Sequence, residues 1–122
     1  APEHTEDAVL KLMAKPSFRL FERLRMEFDN IVRSSGRKCE LVPYFISGHP
    51  GCGMREMQRL ARTPALKGLY MDQVQDFTPT PMTTSSVMFY TGLDPKNLEK
   101  VFVERDLERK KEQKSFFFRR GK

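Results

Sequence analysis

Cysteine is scarce: Cys39 and Cys52 are the only two in 122 residues. Two cysteines cannot build the disulfide framework of a small secreted domain. With seven methionines beside them they fit a reducing cytoplasm. Zinc spacing is missing as well. Cys39, Cys52, His4 and His49 include no C-x-x-C or H-x-x-x-H pair, so the sequence predicts no metal site. No apolar run approaches the ~20 residues a membrane helix needs. The opening APEHTED is acidic and polar, unlike a signal peptide. No internal repeat and no low-complexity tract occurs. The chain starts at Ala1 rather than Met, which predicts processing or a piece cut from a longer polypeptide.

What is present bounds the class. At 39% hydrophobic and 31% charged residues the chain reads as globular, with length for one domain and one modest core. The net charge of +6 is a local property. From Glu104 to Lys122 eight basic residues (Arg105, Arg109, Lys110, Lys111, Lys114, Arg119, Arg120, Lys122) face four acids (Glu104, Asp106, Glu108, Glu112), leaving +4 in the tail. The remainder is nearly balanced, so the basic pI is weak support for nucleic-acid binding.

Periodicity predicts the elements. Thr5 can cap a first helix, with Val9, Leu12 and Met13 on one face and Pro16 ending it. Ser17 can cap a second. There Phe21, Leu24, Phe28, Ile31 and Val32 form an amphipathic stripe expected in the core, and Ser34-Ser35-Gly36 stops it. Leu41 to Ile46 lacks polar alternation, as a strand covered on both faces would. Pro43 inside it cannot donate to a ladder, so the strand lies at an edge there or starts at Tyr44. Met54 to Ala61 reads as a helix and Gln73 to Phe77 as a second strand. Val87 to Tyr90 is a short apolar stretch, Val101 to Val103 a small strand, and Asp106 to about Phe118 a helix. Alternating helices and strands predict an α/β fold with a parallel sheet. Two or three strands are too few for a self-sufficient sheet, a second sign of a larger parent.

Three blocks carry a resemblance: APEHTEDAVLKLMAKPS, VPYFISGHPGC and QVQDFTPTPMTTSSVMFYTGLDP. Together, from Ala1 to about Lys114, they resemble the C-terminal part of YgiQ-type radical SAM proteins. The resemblance implies residues 1–90 as the C-terminal half of a partial (β/α) barrel and residues 91–122 as an α-rich extension with a basic helical tail. It implies a four-iron, four-sulfur cluster and S-adenosylmethionine in the parent, with reductive cleavage to a 5′-deoxyadenosyl radical. It places Glu3 and His4 after the fourth strand, near S-adenosylmethionine. Gly48, His49, Pro50 and Gly51 fall in the loop after the fifth, and Gln73, Gln75, Thr78 and Thr80 at the sixth, facing substrate. One departure is decisive: there is no CxxxCxxC, and cluster ligation needs three sulfurs at short spacing. The cluster-binding strand is expected upstream of Ala1, the chain alone is expected to be inert and to bind neither group, and its expected partner is the rest of the barrel. Catalytic residues and the substrate are not assigned by the resemblance.

Individual residues carry competing readings. His49 could bond adenosine or shuttle a proton, or could simply fix a tight turn. Gly48 and Gly51 could admit a ligand or only supply positive φ. Glu3 and His4 touch cofactor in an intact parent, whereas in this chain alone they are expected to fray. Cys52, just before a helix, could have a lowered pKa, although a buried inert thiol is favoured. Gln73, Gln75 and Phe77 are expected on one strand face, the first two as a polar pocket wall. Phe116, Phe117 and Phe118 with Arg119 and Arg120 could dock on the parent barrel or stack on RNA. The alternative function is therefore a stand-alone basic RNA-binding or interaction module.

Overall fold

The computed structural model of the chain describes residues 1–118; Arg119, Arg120 and Lys122 of the basic tail lie outside the described residues. A short parallel sheet organises it. Strand β1, Phe45–Ser47, pairs with β2, Val74–Asp76, Phe45 opposite Val74 and Ser47 opposite Asp76. On the other side of β1, Glu3 makes a single parallel bridge to Phe45. Its N–H donates to the Tyr44 carbonyl at 2.9 Å, and its own carbonyl accepts from the Ile46 N–H at 2.9 Å. Three parallel segments thus lie side by side in chain order. Helices α1 (Asp7–Leu12) and α2 (Arg19–Ser35) separate the first two. Helix α3 (Met54–Ala61) and a 3-10 turn at Pro64–Leu66 separate the last two. Helices α4 (Thr84–Thr91) and α5 (Leu107–Phe118) follow, and α5 packs on α3 and against both strands. The result is mixed α/β with five helices and a two-stranded parallel sheet among the described residues. No described helix is long and apolar enough to cross a membrane.

Local chemistry explains most boundaries. Pairing begins at Phe45, beyond Pro43, whose missing N–H cannot join a ladder. Helix α3 starts after Gly53, whose N–H donates to the Glu56 carboxylate at 2.9 Å. Thr83 caps α4, its hydroxyl accepting the Ser86 N–H at 3.2 Å. The Val87–Tyr90 stretch lies inside that helix. The core joins Val9 and Leu10 of α1, Phe45 of β1, Cys52, Met57 and Leu60 of α3, and Leu66 of the 3-10 turn, all buried.

Five expectations change. Thr5 does not cap α1; Glu6 holds that position, while Thr5 Oγ1 accepts from Thr63 Oγ1 at 3.2 Å. Val9 and Leu10 are the buried pair there, rather than Val9, Leu12 and Met13. The α2 stripe is not core. Phe21 is buried and stacks on Phe18 with ring centroids 5.3 Å apart, but Leu24 is 52% and Ile31 65% exposed. Beyond Phe21 the helix is tied down by Arg25, whose guanidinium bonds the carbonyls of Ala65 and Lys67, while Phe28 and Val32 are only half-buried. Residues 101–103 form no strand, because the Phe102 carbonyl turns to accept the Gly51 N–H at 2.7 Å. Finally, Glu3 and His4 are not frayed: the first is bridged into the sheet and the second is fully buried.

Candidate functional site

The C-terminal ends of parallel strands are where α/β folds gather ligand-binding groups, because loops leaving them converge and leave backbone and side chains free. A polar pocket of about 350 Å³ lies there. Its lining includes Glu3, His49 from the loop after β1, Gln75 and Asp76 at the end of β2, and Thr78 and Thr80 beyond it, with Ser85 of α4. Met13, Ile46 and Phe77 supply apolar wall.

Each group is held. Glu3 pairs with Lys15 Nζ at 3.2 Å. Its φ is +65°, in the left-handed region that costs a residue with a Cβ about 1–2 kcal/mol. The β1 bridges on its N–H and carbonyl hold it in that conformation. Gln75 Oε1 accepts from the Tyr44 hydroxyl at 2.6 Å, so its amide nitrogen remains as the donor. Asp76 Oδ1 accepts from Ser47 Oγ at 2.7 Å. His49 is buried; its Nδ1 lies 2.8 Å from the Pro50 carbonyl and its Nε2 2.7 Å from Ser85 Oγ. A carbonyl only accepts, so Nδ1 carries the proton, and in the neutral ring Nε2 accepts from the Ser85 hydroxyl. Burial lowers the His49 pKa, against the opposing pull of the Pro50 carbonyl and the Glu3 charge, which keeps the ring neutral near pH 7. Phe77 meets the imidazole edge-on at 5.1 Å, and Phe89 packs on Phe77 and carries the Arg105 and Lys110 cations over its ring.

A second polar cluster lies inside the fold. His4 Nδ1 accepts the Glu6 N–H at 3.0 Å, which places the ring proton on Nε2, 3.3 Å from Cys52 Sγ. Gln113 of α5 completes it. Its Nε2 donates to the Cys52 carbonyl at 3.2 Å, and its Oε1 accepts the Gly48 N–H at 3.1 Å and faces Cys52 Sγ at 3.6 Å. His4, Cys52 and Gln113 are all 0% exposed. Burial lowers the His4 pKa to about 4, with a smaller push from His49, and raises the Cys52 thiol to about 12. The neutral ring and the intact thiol are thus the stable pair, in line with the buried inert thiol favoured from the sequence rather than a helix-N-terminal thiolate. The cluster fastens α5 to the loop after β1 and contributes structure rather than reactivity.

Of the residues singled out in the sequence, Glu3, His49, Gln75, Thr78 and Thr80 meet in the pocket. His4 faces the interior cluster. Gly48, Pro50 and Gly51 do not line the pocket. Gly48 (φ +71°) and Gly51 (φ +86°) serve the turn, and a Cβ at Gly51 would sit 2.4 Å from Leu12 Cδ1. Gln73 is exposed away from the pocket and uses its carbonyl to receive the Phe45 N–H at 2.9 Å. Ser85 and Asp76 join the pocket unpredicted. The run Thr83-Thr84-Ser85-Ser86 reads locally as a helix cap, which hides its second use.

The cluster implied by the resemblance does not fit these residues. Cys39 is exposed, Cys52 is committed to His4, and no three ligating side chains come together among the described residues.

The geometry defines a mixed α/β unit with a polar pocket at the C-terminal ends of parallel strands. The pattern described as a domain of unknown function (DUF3362) matches residues 72–120. The chain is similar to UPF0313 proteins: 47% identical to one from Bacteroides thetaiotaomicron over 97% of the chain and 19% of that protein. It is 45% identical to one from Porphyromonas gingivalis over 97% of the chain and 19% of that protein, and 42% identical to one from Methanosarcina acetivorans over 99% and 16%. The chain therefore spans about a fifth of the length of these relatives. No solved structure matches it.

Proposed function

We propose that this chain is the C-terminal part of a radical SAM enzyme, where it forms part of the wall of the S-adenosylmethionine and substrate pocket. The observation that carries the reading is the parallel series Glu3, β1, β2 with helices in its connections, and the polar pocket at its C-terminal ends. The three-block resemblance to YgiQ-type radical SAM proteins supplies the chemistry, and the greater length of the relatives leaves room for a cluster-binding segment. Cluster ligands come from outside these residues, so no step is routed through the cluster here.

S-adenosylmethionine, when bound and reduced, supplies a 5′-deoxyadenosyl radical. The pocket suits its ammonium, sulfonium and ribose hydroxyls: Glu3 and Asp76 offer carboxylate oxygens, Gln75 an amide donor, and Thr78 and Thr80 hydroxyls. No Lys or Arg lines it, but Lys15 Nζ, 3.2 Å from Glu3, already neutralises that carboxylate, so Asp76 supplies the negative charge a cationic ligand would meet. Phe77 and Ile46 give apolar surface to exclude water beside the reacting centre. Strand pairing fixes Glu3 and Gln75 on rigid backbone, which is what ligand positioning needs.

The test is anaerobic reconstitution of the full-length polypeptide with iron and sulfide, followed by S-adenosylmethionine and a reductant. The reading expects 5′-deoxyadenosine, and about a hundredfold less from Gln75→Ala or Glu3→Gln if these groups position the ligand. A reconstituted, folded polypeptide that makes none overturns it.

A further inference from the structure

Ser85 and His49 carry a second possibility that needs neither cluster nor S-adenosylmethionine. Ser85 is the second residue of α4, set there by the Thr83 cap. Its hydroxyl lies 2.7 Å from His49 Nε2, and the Pro50 carbonyl 2.8 Å from Nδ1 fixes the tautomer that leaves Nε2 basic. His49 is 3% exposed and cannot swing away into water. A hydroxyl, a base within hydrogen-bond reach and a third group orienting that base make the arrangement that activates serine nucleophiles. Both side chains face the pocket, so a reacting carbon has room to reach Ser85 Oγ.

We propose that Ser85 is a nucleophile activated by His49, taking an acyl group from a small ester that enters the pocket. The proposal rests on reading the pocket as a ligand site. In the step, Oγ forms a bond to the carbonyl carbon and the carbon–oxygen bond to the leaving alcohol breaks. The hydroxyl proton passes to Nε2 and on to the departing oxygen. Water then reverses the sequence, its proton moving through Nε2 to Oγ, and releases the carboxylic acid. The amides of Thr84 and Ser85 lie in the first turn of α4, where the helix offers no carbonyl. In the proposed step they serve the developing oxyanion, and the positive end of the helix dipole acts in the same sense. Lys15 neutralises Glu3, which leaves Asp76 as the negative charge in a lining without Lys or Arg, so the acyl ester is uncharged or cationic.

The test uses the 122-residue chain, free of iron and S-adenosylmethionine, treated with an uncharged alkyl fluorophosphonate. Intact mass and peptide mapping read the product, and circular dichroism verifies folding of every variant. One adduct on Ser85 is expected, with none in Ser85→Ala and labelling about a hundredfold slower in His49→Gln. Ser34→Ala, at an exposed serine near the end of α2, should label as the parent chain does. Ser85→Cys gives an independent readout: iodoacetamide should alkylate the introduced thiol faster than the exposed Cys39. A folded chain with no adduct on Ser85, labelling indifferent to His49, or an introduced thiol slower than Cys39 overturns the proposal and leaves the pair as a clamp between α4 and the loop after β1. Failure of 5′-deoxyadenosine formation would not touch this result, and failure here would not touch that one.

Discussion

Acid should loosen this fold through one side chain. His4 is fully buried, its Nδ1 accepts a backbone N–H and its Nε2–H points at the Cys52 sulfur, so a second ring proton has no acceptor. Its pKa falls from 6.5 to about 4 in the folded chain, chiefly by burial. Between those values the unfolded chain binds a proton that the folded chain refuses, so stability falls as pH drops from 6.5 towards 4 and is complete above that window. Integrating the difference gives a loss of about 2 kcal/mol between pH 7 and pH 5 from His4 alone. Urea unfolding of the parent chain and of His4→Gln, followed by far-UV circular dichroism at both pH values, isolates it. The substitution itself should cost about 1–3 kcal/mol at pH 7 by leaving buried partners unsatisfied. The decisive quantity is the change with pH, which should be about 2 kcal/mol smaller in His4→Gln than in the parent chain. Equal acid sensitivity in the two would refute the buried, singly protonated His4.

Gln113→Leu should cost about 3 kcal/mol, because it strands the Gly48 N–H and the Cys52 carbonyl inside the fold, and hydrogen exchange at Gly48 should speed up accordingly. Gly51→Ala should cost about 2–4 kcal/mol in urea unfolding, combining a φ of +86° with a Cβ against Leu12, whereas Gly36→Ala, at φ +68° with open space, should cost only about 1 kcal/mol. Native chain treated with iodoacetamide should be modified at exposed Cys39 and not at Cys52, whose thiol is buried and pushed up to about 12, until denaturant is added. Deleting residues 105–122 should unfold the chain as well as remove charge, since Gln113 is a buried tie; a folded deletion variant that merely loses salt-dependent RNA affinity would favour the basic-module alternative.

The parallel order and the strand ends were legible because their signals are local: short apolar runs, then Gly, Pro and Thr. Helix α3 was legible from the spacing of Met57 and Leu60. The stripe of α2 misled because amphipathic period reports that a face will be covered somewhere, not that Leu24 and Ile31 are covered by residues of the same chain. His4 and Cys52 are 48 residues apart and Cys52 and Gln113 61 apart, so no spacing rule connects them. The Ser85–His49 contact joins residues 36 apart through a run that already had a complete local explanation as a helix cap. Long-range polar pairing in a small fold leaves no periodic trace.

The most direct test of the central claim is hydrogen–deuterium exchange of the full-length polypeptide, reconstituted anaerobically, with and without S-adenosylmethionine. The account predicts protection in the peptides covering residues 1–4, 46–49 and 74–80, at the C-terminal ends of the parallel segments. Saturating ligand that leaves these peptides unchanged while protecting others would contradict the placement of the site in this chain.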